Sequence, residues 1–255
     1  MGMTNKEILH IAMKQSAIDL NCNIEDLAGP KNKVVLSKMN AGSKNYFAQP
    51  HFCQLACYGN AVVASVDPRI EEFLTSFVNK HLGFRCFDMP QLNTLNAELN
   101  KYDKCVGIIS EYYLPDMTRS REVQPDFDIN ILTDNEIFPL YDDDRFHMAL
   151  SYTYESERRD IIAVVGYKNG EIIGVAGASN DSETMWQVGI DVVPAWRNKG
   201  VASILTKIIT NEIVKKGIVP FYGTAWSNIA SKNTAISSGY KSAWVELAAI
   251  DISTT

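Results

Sequence analysis

The segment from Thr184 to Gly217 constrains the fold more than any other: TMWQVGIDVVPAWRNKGVASILTKIITNEIVKKG. An extended run ends at Val193, and a helix then begins across the short loop Arg197-Asn198-Lys199-Gly200-Val201-Ala202. Val201, Ile204, Leu205, Ile208, Ile209 and Ile213 give that helix one continuous apolar face. Lys215, Lys216 and Gly217 are stop signals, with cations at the negative end of the helix dipole. A strand feeding an amphipathic helix in this way belongs to an α/β fold.

The loop has a chemical meaning. The first N–H groups of a helix lack internal partners and point outward at the positive end of the dipole. Gly200 carries no Cβ to block an anion, Ala202 keeps the next turn nearly as open, and Arg197 and Lys199 add positive charge. A pyrophosphate suits such a site. The chain has no GxxxxGK[ST] sequence, which argues against a Walker-type nucleotide site. An ordinary strand-to-helix turn with a solvated Arg and Lys is the competing reading of the loop taken alone.

The rest of the chain supplies context. Residues 4–20 are expected to be helical, Asn45–Ser65 to be two short strands around Tyr58-Gly59-Asn60, and Asp67-Pro68 to open a helix. That helix is expected to bury Phe73, Leu74, Phe77, Val78 and Leu82. Another helix is expected after Pro90, with Leu92, Leu95 and Leu99 inward, and then a strand over Cys105–Tyr113. The polar stretch PDMTRSREVQP at 115–125 marks a boundary, giving an α/β domain over 1–124 and a second domain over 125–255. The second domain opens with a strand at Asp128–Leu132 and an acidic, aromatic segment at Tyr141–Tyr154, read as helical. A hairpin follows, Ile161–Lys168 and Glu171–Ala178 around Asn169-Gly170, the pair that favours a type I′ turn.

Composition narrows the partners. With 46% hydrophobic and 21% charged residues among 255, the chain can bury a real core. Its net charge of -6 and the lack of a basic stripe argue against nucleic acid. The mildly acidic balance favours a cationic substrate such as an amine. No run of 18 apolar residues suggests a membrane span, and MGMTNKEILH does not read as a signal peptide, so no membrane partner and a cytoplasmic location are expected. The five cysteines fit reduced thiols. His51, Cys53 and Cys57 form half a metal-ligand pattern with no second half, and no metal is expected.

Arg197-x-x-Gly200-x-Ala202 resembles the Arg/Gln-x-x-Gly-x-Gly/Ala signature of the GCN5-related N-acetyltransferase (GNAT) family. Ile190-Asp191-Val192-Val193-Pro194 resembles that family's fourth strand and the proline after it. Trp226-Ser227-Asn228-x-x-Ser231 and Gly239-Tyr240 resemble its Asn-x-x-Ala/Ser segment and its ending. The resemblance covers roughly residues 127–250. It implies a mixed, mostly antiparallel sheet with a splayed central strand pair flanked by helices, preceded here by the smaller α/β domain. The strand–helix–strand pattern of that smaller domain raises a second reading, a degenerate copy of the same fold.

The resemblance also implies acetyl-CoA as acyl donor and an amine of a small molecule or peptide as acceptor. Val192 and Val193 would meet the pantetheine, and Arg197, Asn198, Lys199, Gly200, Val201 and Ala202 the pyrophosphate. Asn228 would face the pantetheine or thioester, and Ser231 or Lys232 the coenzyme's phosphates; a helix N-cap is the structural alternative for Asn228. The family's usual base and acid positions fall on Trp186 and Ala235. Glu183 is therefore the candidate base, acting through water, with Tyr222 or Tyr240 in support. A coenzyme A-binding sensor without transferase activity is the alternative function.

Overall fold

A computed structural model describes residues 2–119, 124–151 and 157–254. Its helices are α1 (Asn5–Leu20), α2 (Ile24–Ala28), α3 (Glu71–Asn79), α4 (Met89–Leu99), α5 (Val201–Lys215) and α6 (Ile229–Ser237). Its first strands are β1 (Lys33–Leu36), β2 (Cys53–Cys57), β3 (Val62–Val66), β4 (Lys104–Pro115) and β5 (Asp128–Thr133). The others are β6 (Asp160–Lys168), β7 (Glu171–Ser179), β8 (Met185–Val192), β9 (Val219–Ala225) and β10 (Tyr240–Asp251).

These elements fall into two compact units that interleave along the chain. One comprises residues 1–11, 113–224 and 228–242; the other comprises 12–112, 225–227 and 243–255. A single cut at 124/125 therefore does not describe the division. The reason lies in β10, whose Val245–Ala248 pair antiparallel with Cys57–Gln54 of β2. The end of the chain thus completes the sheet of the N-terminal unit, in the order β1-β3-β2-β10-β4.

In that unit β2 and β3 are buried along their whole length. Leu55, Val62, Ala64 and Val66 meet Leu74, Phe77 and Val78 of α3 and Leu92, Leu95 and Leu99 of α4 in one core, and Ala56 and Val63 meet Ala17, Leu20 and Leu27 in another. Cys53 belongs to the first of these cores, and Cys57 is also buried. Leu82 falls beyond the end of α3 and is exposed, so it takes no part in the apolar face. The unit also buries an ion pair, Lys44 Nζ to Asp19 Oδ2 at 3.5 Å, with the Lys44 amide and Gln15 both donating to Asp19 Oδ1. Burial opposes the charge on Lys44, but Tyr46, Glu246 and Asp19 outweigh it and hold its pKa well above the ordinary lysine value.

The second unit contains the sheet β9-β8-β7-β6-β5. Every neighbouring pair is antiparallel except β8 and β9, which run parallel. Residues of β6 alternate between two cores, as the two-residue period of a strand requires. Ile162 and Val164 enter the core under α5, beside Val201, Leu205, Ile209 and Ile213. Ala163 and Val165 enter the core on the other face, beside Ile137, Leu140, Phe146, Ala149 and Leu150. The hairpin turn has φ 53° at Asn169 and 81° at Gly170, the left-handed values that a type I′ turn needs.

The segment read as helical at Tyr141–Tyr154 is not an α-helix where it is described. It continues the 3-10 turns Asp134–Asp142 and Asp144–Phe146, and residues 152–156 lie outside the described residues. Pro139 and short Asx-type bonds, such as Asp143 accepting from the Arg145 amide, divert this stretch into tight turns.

Gly177 and Gly189 let the backbone of this stretch lie directly on the sheet. A Cβ at Gly189 would sit 2.7 Å from Met148 O and 2.8 Å from Ala149 O, and one at Gly177 would collide with Ala149 O. Gly177→Ala should therefore destabilise the unit by about 1–3 kcal/mol, the usual cost of overpacking. Urea unfolding monitored by tryptophan fluorescence reads the effect; an unchanged midpoint would show that the 148–149 backbone does not press on β7.

Candidate functional site

The site is built where a strand ladder stops. Strands β8 and β9 pair at Met185↔Val219, Trp186↔Pro220 and Gln187↔Phe221, and no further. Beyond Gln187 each strand continues, β8 to Val192 and β9 to Ala225. A gap therefore opens between their C-terminal ends. On its other edge β8 stays paired with β7 as far as Gly174↔Val192, and Val193 N–H donates to Ile173 O at 3.0 Å.

That last bond fixes which main-chain groups face the gap. In an antiparallel pair successive residues direct their N–H and C=O to alternate sides. With Val193 directed to β7, the groups of Ile190 and Val192 are directed away from it, toward the gap. Val193 itself is fully used, because its carbonyl accepts from the Trp196 amide at 2.9 Å. Alternation therefore directs the Val192 N–H to the gap side, whereas the Val193 N–H and C=O are engaged by Ile173 and Trp196. The Val192 carbonyl takes a hydrogen bond from Arg197 Nε at 3.0 Å, which ties the signature arginine to the strand end.

The loop then delivers a bare helix terminus. Asn198 and Gly200 adopt φ of 60° and 80°, the left-handed region where glycine costs least. The first hydrogen bond into α5 runs from the Ile204 amide to Gly200 O, so the amides of Val201, Ala202 and Ser203 precede the helical ladder. Nothing lies within 4 Å of a Cβ built on Gly200, and Arg197, Asn198, Lys199 and Gly200 are all exposed. Lys199 Nζ sits 4.7 Å from the Trp196 ring centroid, which holds its charge over the loop. The result is a positive, open cradle at the end of β8.

On the far side of β9, α6 begins at Asn228. The Asn228 side chain caps that helix, with Oδ1 accepting from the Ser231 amide at 3.1 Å. Ser231 Oγ lies 3.0 Å from the Tyr222 hydroxyl. Burial raises the Tyr222 pKa, Ser231 lowers it, and the charge of Asp191 raises it again. Tyr222 on β9 and Asp191 on β8 are therefore within electrostatic reach of one another. Tyr240 is buried, its hydroxyl 2.7 Å from Thr210 Oγ1, a packing role.

Glu183 does not sit near this opening. It is exposed in the turn before β8, at the end where β8 and β9 are still paired. At about 3.3 Å per residue of strand it lies roughly 20 Å from Ile190. Trp186 packs against the core under α5 and Ala235 is fully buried in it. Neither position supplies a base or an acid.

The opposite face of β8, to which strand alternation directs Asp191, carries the polar groups. Arg158 donates to Asp181 Oδ1 at 2.8 Å and to Gln187 Oε1 at 2.6 Å. Asp191 Oδ2 accepts from the amides of Met148 at 2.7 Å and Ala149 at 3.0 Å. Burial pushes the Asp191 carboxyl up, while those two amides, His147 and Arg197 pull it back. The glycines at 177 and 189 were the available signal of the Met148–Ala149 backbone lying there, since a glycine inside a strand marks a close backbone approach.

Comparison with known proteins follows this geometry. The family described as "Acetyltransferase (GNAT) family" matches residues 127–235. No curated protein sequence matches the chain. Among solved structures, an acetyltransferase from the GNAT family of Colwellia psychrerythraea is similar at 15% identity, TM-score 0.44, over 73% of this chain and 76% of that one. A GCN5-related N-acetyltransferase from Kribbella flavida has 13% identity and TM-score 0.43, over 60% of this chain and 63% of that one. An aminoglycoside N-acetyltransferase, AAC(6')-Iy in complex with CoA, has 19% identity and TM-score 0.37, over 48% of this chain and 93% of that one. The splayed strand pair, the signature loop and the family match coincide on one stretch of chain, and residues 127–235 match the GNAT acetyltransferase family.

Proposed function

We propose that this domain moves an acetyl group from acetyl-CoA to an amine of a small molecule or peptide. The observation that carries the reading is the end of the β8–β9 ladder at Gln187↔Phe221, with a bare helix terminus immediately beyond it. The pantetheine arm lies in the gap, against the main chain of Ile190 and Val192. The pyrophosphate sits on the amides of Val201, Ala202 and Ser203, with Arg197 and Lys199 supplying charge and Asn198 and Gly200 shaping the loop. Asn228 and Ser231 at the start of α6 would meet the coenzyme from the β9 side, a reading supported by the contact of Ser231 Oγ with the Tyr222 hydroxyl of β9.

The transfer is direct attack in a ternary complex. The lone pair of a neutral amine attacks the thioester carbon, and the C–S bond breaks with its electron pair left on sulfur. The nitrogen loses a proton and the thiolate gains one, giving an amide and free coenzyme A. Holding the two reactants side by side supplies much of the acceleration without a strong protein base, because proximity and orientation carry large effects.

One observation favours a second reading. Trp186 and Ala235 are packed into the core and Glu183 is remote, so the usual acid–base pair has no counterpart there. A coenzyme A-binding sensor with little transferase activity is consistent with that. Thiol release from acetyl-CoA across a panel of amines separates the two: saturable turnover with any amine supports the transferase, and coenzyme A binding without turnover supports the sensor.

Binding itself is tested on the loop. Millimolar coenzyme A should raise the melting temperature of the parent protein. Gly200→Asp should abolish that rise in a protein that still folds, with its unliganded melting temperature lowered by the cost of a left-handed backbone at a non-glycine residue, about 1–2 kcal/mol. The added carboxylate points into open space at the phosphate position, and aspartate is among the residues that tolerate a left-handed backbone. An equal rise in the variant would place the pyrophosphate elsewhere.

A further inference from the structure

The gap between β8 and β9 has one face toward α5 and one face away from it. On the α5 face, Val188 and Val192 are buried against Val201 and Leu205, and Trp186 and Ile190 pack on the same cluster. On that face β8 offers only apolar side chains. On the other face β8 presents Met185, Gln187, Gly189 and Asp191. Met185 is buried, Gln187 is engaged by Arg158, and Gly189 is covered by the Met148–Ala149 backbone. Asp191 remains, the one carboxylate that β8 carries.

Asp191 is held in a particular way. Its Oδ2 is fixed by two main-chain amides, Met148 at 2.7 Å and Ala149 at 3.0 Å. Its other oxygen, Oδ1, has no hydrogen-bond partner among the described residues, and the residue is only partly buried. One oxygen thus orients the group while the other stays available to a ligand. On either side in sequence are Ile190 and Val192, whose main chain faces the gap. The anion is oriented rather than mobile, and it stands beside the place where the thioester would lie.

We infer that Asp191 receives the acceptor and selects it as a cationic alkylamine, whose ammonium gives up one proton to solvent before its lone pair attacks the thioester. An ammonium group is the ligand that a fixed, partly desolvated carboxylate oxygen prefers, through a charge-assisted hydrogen bond. A neutral arylamine gains little from the same contact. The assignment rests on the acetyl-transfer reading above and adds to it the class of acceptor and the residue that discriminates. The hydrogen bonds to Met148 and Ala149 place the acceptor entrance along the 146–149 segment, where Met148 is exposed.

The test compares two probe amines in the parent and in Asp191→Asn, which keeps the shape and an acceptor oxygen for the amides but loses the charge. The probes are putrescine, cationic at neutral pH, and p-anisidine, neutral there. Thiol release from acetyl-CoA is followed, and coenzyme A binding is read separately by thermal shift. The variant should lose on the order of ten- to a hundredfold in kcat/KM for putrescine, mainly through KM, the loss of one hydrogen bond to a charged group. Its kcat/KM for p-anisidine and its thermal shift with coenzyme A should match the parent's. Equal losses for both amines would make Asp191 a structural latch for the 148–149 backbone and overturn the inference. Unchanged kinetics with putrescine, or no turnover with either amine while coenzyme A binds, would overturn it as well. A parent that fails to bind coenzyme A would overturn the acetyl-transfer reading first, and this inference with it.

Discussion

The site depends on where one strand ladder stops. After Gln187↔Phe221, β8 and β9 no longer share hydrogen bonds, while β8 remains tied to β7 through Val192. Unpaired main-chain groups inside a fold are costly unless something satisfies them. The groups of Ile190 and Val192 on the gap side are therefore a standing demand for a partner, met in part by Arg197 on the Val192 carbonyl. An extended ligand with amide groups of its own meets the rest of that demand in the same geometry as a strand.

Two packing arrangements hold the gap in shape. On one face, α5 lays Val201, Leu205, Ile209 and Ile213 across the sheet, each fully buried. Burial of side chains of this size contributes about 1.5–3 kcal/mol each, so the helix that carries the anion cradle is also the element that covers that face. On the other face, the Met148–Ala149 backbone lies on Gly177 and Gly189 and is pinned by Asp191. The first arrangement fixes the loop that carries Arg197 and Lys199. The second leaves a single oriented carboxylate beside the opening.

Much of this was legible in the sequence because it rests on local signals. The apolar period of Val201–Ile213, the Asn169-Gly170 turn and the glycine at 200 each report a local backbone requirement, and the structure places them accordingly. Glu183 is the opposite case. Proximity in sequence to an empty family position said nothing about which end of β8 splays, and that depends on long-range pairing with β9. The helix expected at Tyr141–Tyr154 failed because its composition was read without weighing Pro139 and the Asx bonds that compete with helical ones. The interleaving of the two units was not legible either. It arises from β10 pairing with β2, a contact between residues nearly two hundred apart in sequence.

The central claim is that coenzyme A occupies the gap and the helix terminus together. Backbone amide NMR during titration with coenzyme A tests it most directly. The account predicts saturable shifts concentrated at Ile190 and Val192 on β8 and at Gly200, Val201, Ala202 and Ser203 at the start of α5, with Ile173 and Val193 on the paired edge little changed. Shifts confined to the helix terminus would reduce the site to a phosphate cradle, and saturable shifts elsewhere with none at either location would contradict the account.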